Sequence, residues 1–381
     1  MSDADFSGRR PGVYKTHGFA ALTPPTVRGS TVVFDGLEAF SGRSSLGRKG
    51  YSYGLNGTPT TQETERQVSA LHGATETFLT PSGLQAITVS ILGCVKPGQI
   101  VLLPHNVYGP VRRFANGLLA SFGIECRFYE PNSLTADDFD NGNVALVWIE
   151  SPASLTMDVE DIKATTALAR SAGARVGCDN SWATPFFCKP LDLGVDVVIE
   201  ALTKYLSGHS DVIMGSISIR DKDIAEDVHR VMHELGVGVS PDDCSLVLRG
   251  LESAEVRLSR INETAQHLAE FLGQHPLVLE VCHPALPSFP GHHAWKRNFT
   301  GSSGLFSFVL DDGSKENVAR RLERMKHIPI GASWGGTKSI IAAYFADPNG
   351  CNSMERLPLI RLSTGLEPLD ILLDDFRRFL R

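Results

Sequence analysis

Residues 195–211, VDVVIEALTKYLSGHSD, limit what this chain can become more than any other segment. The apolar run 195–199 predicts a strand buried on both faces of a parallel sheet. It delivers one lysine, Lys204, to the point where the strand has run out and Gly208 and His209 turn the chain. A lysine there is costly unless it has work to do. Its ammonium loses charge readily when desolvated, and the neutral amine condenses with carbonyl compounds. A second apolar run, 174–178, ends in Asp179. An acid and a lysine at the ends of nearby strands meet the two needs of pyridoxal phosphate: an anion beside its ring nitrogen and an amine for its aldehyde. Read alone, Asp179 equally suits the cap of a following helix. Cys178 beside it reads as a small buried apolar residue rather than a nucleophile.

The rest of the chain supports a sheet of this kind. Its 381 residues exceed a single typical core, so two packed domains are expected. Residues 62–72 predict a helix with Val68 and Leu71 on one face, and 83–92 a second. Residues 77–80, 99–103 and 144–149 predict strands, and 157–172 contain a further helix. Alternating strands and helices imply a mostly parallel sheet covered on both sides. Ligands on such sheets sit at the carboxyl ends of strands, where Asp179 and Lys204 both fall. Residues 1–60, rich in Gly, Ser, Thr and Pro, read as an extended arm, 61–245 as the large domain, and 246–381 as a smaller α+β domain. A single helical stretch over 242–273, with Leu246, Leu248, Leu251, Val256, Leu258, Ile261, Leu268 and Leu272, is expected to bridge the domains. In the small domain, 305–310 predicts a strand and 369–380 a closing amphipathic helix.

Composition excludes several classes. A net charge of −7 does not favour nucleic acid or an acidic membrane surface as partner. No apolar stretch is long enough to span a bilayer, and the opening MSDADFSGRRPGVYK lacks the apolar core of a signal peptide. Seven cysteines, an odd number without C-x-x-C spacing, read as reduced thiols of a cytoplasmic protein, and no metal site is expected.

Residues 179–196, DNSWATPFFCKPLDLGVD, and 201–211, ALTKYLSGHSD, resemble the Cys/Met-metabolism family of pyridoxal-phosphate enzymes, and the likeness runs from about Pro24 to the C-terminus. It implies an aspartate-aminotransferase-like α/β fold (fold type I), with a mostly parallel large domain and a smaller α+β C-terminal domain. It also implies pyridoxal 5'-phosphate on Lys204, with Asp179 at the ring nitrogen. Tyr108, in HNVYGP, matches the tyrosine that stacks on the cofactor ring and handles protons. Free amides at a helix N-terminus bind phosphate, and the resemblance assigns that task to Gly83 and Leu84, helped by the Thr203 hydroxyl. Residue 201, often serine in relatives, is alanine here. Tyr53, in YGLNGTPT, matches a tyrosine that reaches the phosphate of the partner subunit. The arginine that accompanies it in the family is Leu55 here, and Arg48 and Lys49 are candidate replacements.

On the substrate side, Arg361 in LIRLSTGLE matches the arginine that pairs with an amino acid's α-carboxylate, although an internal salt bridge would also satisfy an arginine in an apolar strand. Ser333-Trp334-Gly335-Gly336, and Ser154 where γ-enzymes usually carry asparagine, resemble the β-lyase branch. Ala332 and Lys338 depart from it near the expected distal end of the substrate. The expectation is a carbon–sulfur β-lyase of the cystathionine β-lyase type. The alternatives are a γ-lyase or γ-replacement enzyme, a cysteine-conjugate lyase of specialised metabolism, or a non-catalytic binding protein on the same scaffold. The resemblance further implies a homotetramer, a dimer of dimers with sites shared across the dimer interface.

Overall fold

The computed structural model describes residues 14–16, 18–139, 142–345 and 358–381, leaving aside the side chains of Thr16 and Lys49. A short hairpin, β1 (Tyr14–Thr16) and β2 (Phe19–Ala21), opens the described chain. From there to residue 58 the backbone is mostly irregular with short helical turns.

Seven strands then build the large sheet: β3 (Glu76–Thr80), β4 (Ile100–Pro104), β5 (Glu125–Tyr129), β6 (Val144–Glu150), β7 (Arg175–Asp179), β8 (Val197–Glu200) and β9 (Gly215–Ile219). Their order is β3-β9-β8-β7-β6-β4-β5. Only β9 runs against its neighbours, so the other six point their carboxyl ends to one edge. β4 and β8 are buried at every position, which is why β4 and the first three residues of β8 read as apolar runs. Alternate residues feed two cores. Leu102, Val147, Val176 and Val198 face one side, and Leu103, Leu146, Trp148 and Ile199 the other.

The smaller sheet, β10 (Val278–Cys282), β11 (Leu305–Leu310), β12 (Ile340–Tyr344) and β13 (Leu359–Ser363), is antiparallel in the order β10-β11-β13-β12. Phe306, Phe308, Phe376 and Phe379 fill its core beneath the helix Leu369–Phe379. One core of the large sheet continues into Leu258, Ile261, Leu305 and Trp334, so the two sheets are joined by packing.

The expected single helix over 242–273 is two helices, Pro241–Leu251 and Ala254–Gly273. Ser253 leaves helical geometry, and Arg257 folds back to donate to the Gly250 carbonyl at 2.8 Å. The last carbonyls of a helix need such partners, and here a side chain from the second helix supplies one. The apolar pattern ran through the break because both helices bury a face. Val256, counted as part of that pattern, is 74% exposed. The expected domain boundary after residue 245 falls inside the first of these helices.

Candidate active site

The carboxyl edge of the large sheet gathers the polar residues. β3 runs out into Ser82, whose hydroxyl accepts the Gln85 N–H at 3.1 Å and caps the helix Gly83–Cys94. The first two amides of that helix, Gly83 and Leu84, have no partner among the described residues. β7 ends in Asp179, half-buried on the cavity wall, with its Oδ1 accepting the Ser181 N–H at 2.9 Å. Burial pushes the Asp179 carboxyl up, while the Ser181 hydrogen bonds and the Lys204 charge oppose this.

β8 ends in Glu200, and Lys204 follows in a compact turn. The Lys204 N–H donates to Ala201 O at 2.9 Å, and the Gly208 N–H donates to Lys204 O at 2.8 Å. Buried Arg257 clamps this turn from outside, donating to Tyr205 O at 2.8 Å and Leu206 O at 3.3 Å. Gly208 has φ +71, and a Cβ there would overlap the Arg257 guanidinium. The Thr203 hydroxyl, expected at the phosphate, donates to Met214 O at 3.1 Å and accepts the Met214 N–H at 2.9 Å.

The smaller domain closes the site through residues 333–336. Gly335 (φ +87) brings this loop so near the lysine turn that a Cβ would lie 2.9 Å from the Tyr205 nitrogen. The Lys204 amine donates to Ser333 Oγ at 2.7 Å and stands 5.1 Å from the centre of the Trp334 ring. Trp334 packs on Tyr205, ring centres 5.3 Å apart. Burial, with the Arg361 charge, lowers the Lys204 ammonium to about 8, against a partial offset from Asp179. Arg361, on β13, donates to Ser154 O at 3.1 Å and lies 4.9 Å from the Tyr344 ring. No carboxylate pairs with it among the described residues, so the internal salt bridge is not formed there.

These groups line one cavity of about 1170 Å³: Gly83, Leu84, Tyr108, Asp179, Thr203, Lys204, Ser333, Trp334 and Arg361. Tyr53 does not. It is 52% exposed and lies outside the cavity of its own chain. Leu55 lies against Gly238, where it would crowd any Cβ. Arg48 is not a free replacement cation. It pairs with Glu76 at 2.7 Å and Glu65 at 3.0 Å, donates to Thr77 O, and stacks 3.9 Å over Phe78. The side chain of Lys49 lies outside what is described. Of the two departures expected near the distal end of the substrate, Ala332 lines the cavity and exposed Lys338 does not.

Sequence reasoning missed Glu150 and Arg257. Glu150 ends β6 beside Asp179 in register, and it is buried on the cavity wall. Burial, with the neighbouring Asp179 charge, pushes its carboxyl up. The available signal was positional: an acid at the end of a wholly apolar strand, one strand from Asp179. Arg257 gave no such signal, because an arginine in a helical stretch is ordinary on a surface.

The chain matches, over residues 10–381, the family of Cys/Met-metabolism pyridoxal-phosphate-dependent enzymes. A candidate cystathionine beta-lyase of Rhizobium johnstonii is 41% identical, covering 95% of this chain and 91% of its own. An L-alanine/L-glutamate racemase of Wolbachia pipientis is 37% identical, covering 97% and 94%. The cystathionine beta-lyase MetC of Escherichia coli is 36% identical, covering 96% and 94%. Among solved structures, cystathionine gamma synthase of Xanthomonas oryzae, in complex with aminoacrylate and cysteine, superposes with a TM-score of 0.89 at 30% identity, covering 100% of this chain and 98% of that one.

Proposed function

The chain belongs to the Cys/Met-metabolism pyridoxal-phosphate-dependent enzymes, and from that premise we propose that it is a carbon–sulfur β-lyase cleaving L-cystathionine, or a related cysteine thioether, to a thiol, pyruvate and ammonia. One observation carries the reading: Trp334, at the position that separates β-lyases from γ-enzymes by resemblance, stands 5.1 Å from the Lys204 amine.

The residues fit the cofactor. Asp179 is a half-buried carboxyl on the cavity wall that desolvation pushes up, as suits an anion waiting for a ring N–H⁺. Gly83 and Leu84 offer helix N-terminal amides to a phosphate. Pyridoxal phosphate supplies an aldehyde to join the substrate amine and an electron-poor ring that stabilises negative charge at the α-carbon. Asp179 would keep the ring nitrogen protonated, and Tyr108, on the cavity wall, would stack on the ring. Thr203, whose hydroxyl here bonds the Met214 backbone, would help at the phosphate. Arg361 holds the α-carboxylate, and Ser333 with Trp334 fixes the substrate's orientation against Lys204. Lys204 takes the α-proton as a neutral amine, a state that its lowered value near 8 makes accessible. Lys204 or Tyr108 then gives a proton to the departing thiolate.

Tyr53 acts across a subunit boundary, which is why it stands exposed in one chain. Exposed Leu22, Val33 and Leu37 on the arm also favour a covering subunit. The assembly is a homotetramer, a dimer of dimers, and a monomeric mass in sedimentation would refute it. The six described cysteines are all free thiols, in keeping with a cytoplasmic enzyme, and no described helix is long and apolar enough to cross a membrane.

The first experiment gives the purified holoenzyme L-cystathionine, S-alkyl cysteines, L-methionine, O-acetylhomoserine with a thiol, and L-alanine. Pyruvate with homocysteine from L-cystathionine is expected. 2-Oxobutyrate, a new thioether, or D-alanine without pyruvate would overturn the β-lyase reading.

A further inference from the structure

Glu150 is a buried carboxyl with no role in the chemistry above. It faces Asp179 across β6 and β7. Its Oε2 accepts the Tyr108 N–H at 2.7 Å, and its Oε1 accepts the Ser154 N–H at 3.2 Å. The Ser154 carbonyl in turn accepts from Arg361 at 3.1 Å. One side chain thus ties together the Tyr108 loop, the segment after β6, and strand β13 of the smaller domain. No cation bonds Glu150 among the described residues. Burying a carboxyl beside another carboxyl is unfavourable, and both its oxygens are spent on backbone amides of segments that line the cavity.

Resting on the β-lyase reading, we propose that Glu150 is a positioning residue: it fixes the Tyr108 backbone and, through Ser154, the Arg361 guanidinium, so that the substrate's α-carboxylate is held in one relation to the Tyr108 ring. The link runs through two hydrogen bonds in series from Glu150 to Arg361. A shift of the Ser154 backbone therefore moves the nearer of the two carbonyls that meet the guanidinium, the other being Ser333 O at 3.5 Å. Glutamine at 150 keeps the shape and one acceptor oxygen, but turns its NH2 toward the other amide. Aspartate keeps the charge and is one carbon too short to reach both.

The test is the affinity of the holoenzyme for L-alanine, followed by the change in cofactor absorbance. L-Alanine carries the α-carboxylate and no leaving group, so the measurement holds even if the lyase reading fails. Glu150→Gln is expected to weaken L-alanine about tenfold, or about 1.4 kcal/mol, with the cofactor still bound stoichiometrically. In an Arg361→Ala background the same substitution is expected to change binding less than twofold, because the path then ends at a missing guanidinium. Equal losses in both backgrounds, or no loss in either, overturn the proposal. Glu150→Asp is expected to show the same loss with the charge retained. Wild-type affinity in that variant also overturns the proposal, and it decides the matter if the glutamine variant does not fold.

Discussion

Lys204 owes its chemistry to its surroundings. Among the described residues its half-buried amine bonds only to the Ser333 hydroxyl, and the Arg361 charge adds to the cost of its own. An amine must be neutral to attack an aldehyde, so apoenzyme should take up pyridoxal phosphate at a rate that follows the neutral fraction of Lys204. With the ammonium near 8, that rate should rise about tenfold between pH 6 and pH 7 and level off above pH 9. Arg361→Met should move the plateau to higher pH, since removing a neighbouring cation favours the charged lysine. Stopped-flow absorbance of reconstitution checks both, and a rate still climbing steeply at pH 10 in the unaltered chain would show an unperturbed lysine. Asp179 was legible because it ends an apolar run, and Lys204 because it follows one where the strand has run out. Glu150 was less so, because its partners, Tyr108 and Ser154, meet it only once the strand ends are assembled. Tyr53 was legible by resemblance alone, and a single chain leaves it outside the cavity.

At the scale of elements, strands that are apolar as well as buried were readable, β3 and β11 among them, while β5 and β9 were not. β4, β6, β7 and β8 are apolar runs within a residue or two of their expected bounds. β5, with the sequence ECRFY, lies at the edge of the sheet and carries polar residues on its open side. β9, with the sequence GSISI, hides two buried serines among its isoleucines. Neither offers a pattern that separates it from a loop. The helix break at Ser253 was invisible because its cause is tertiary. Arg257 satisfies carbonyls at the end of one helix and in the lysine turn, bonds that no local spacing encodes. Its removal should therefore act on both elements. Arg257→Met is expected to leave the Tyr205 and Leu206 carbonyls without a partner, the Gly250 carbonyl keeping the Ser253 N–H, and to destabilise the chain by about 2 kcal/mol. It should also loosen the Lys204 turn, seen as weaker cofactor absorbance at saturation. Urea midpoints read the first effect and titration with pyridoxal phosphate the second. A stable variant with an unaltered cofactor spectrum would mean that the clamp is ornamental.

The molecule as a whole carries several buried or half-buried titratable groups, and their balance sets how its stability responds to pH. Burial pushes Glu65 and Glu160 up to about 7, and raises Glu150, Asp179 and Glu200 as well. Two buried histidines oppose them. Burial lowers His72 to about 3 and His283 to about 4. A carboxyl whose folded value is raised binds its proton more tightly in the folded state, so it favours folding at low pH and penalises it as pH rises through that value. A histidine whose folded value is lowered does the reverse, but its effect is confined to pH below the unfolded value of 6.5. Between pH 6.5 and pH 8 the histidines are therefore nearly silent, while the folded carboxyls give up protons that the unfolded chain has already lost. Lys204, lowered to about 8, works weakly the other way in this window, because the folded state sheds its proton first. Five carboxyls outweigh one lysine, so the apoprotein should lose about 2 kcal/mol of stability or more on going from pH 6.5 to pH 8. Glu65→Gln with Glu160→Gln should flatten that slope, since Glu65 and Glu160 titrate inside the window. Urea unfolding of the apoprotein at the two pH values makes the comparison, and equal or greater stability at pH 8 would mean that these carboxyls ionise freely in the folded chain.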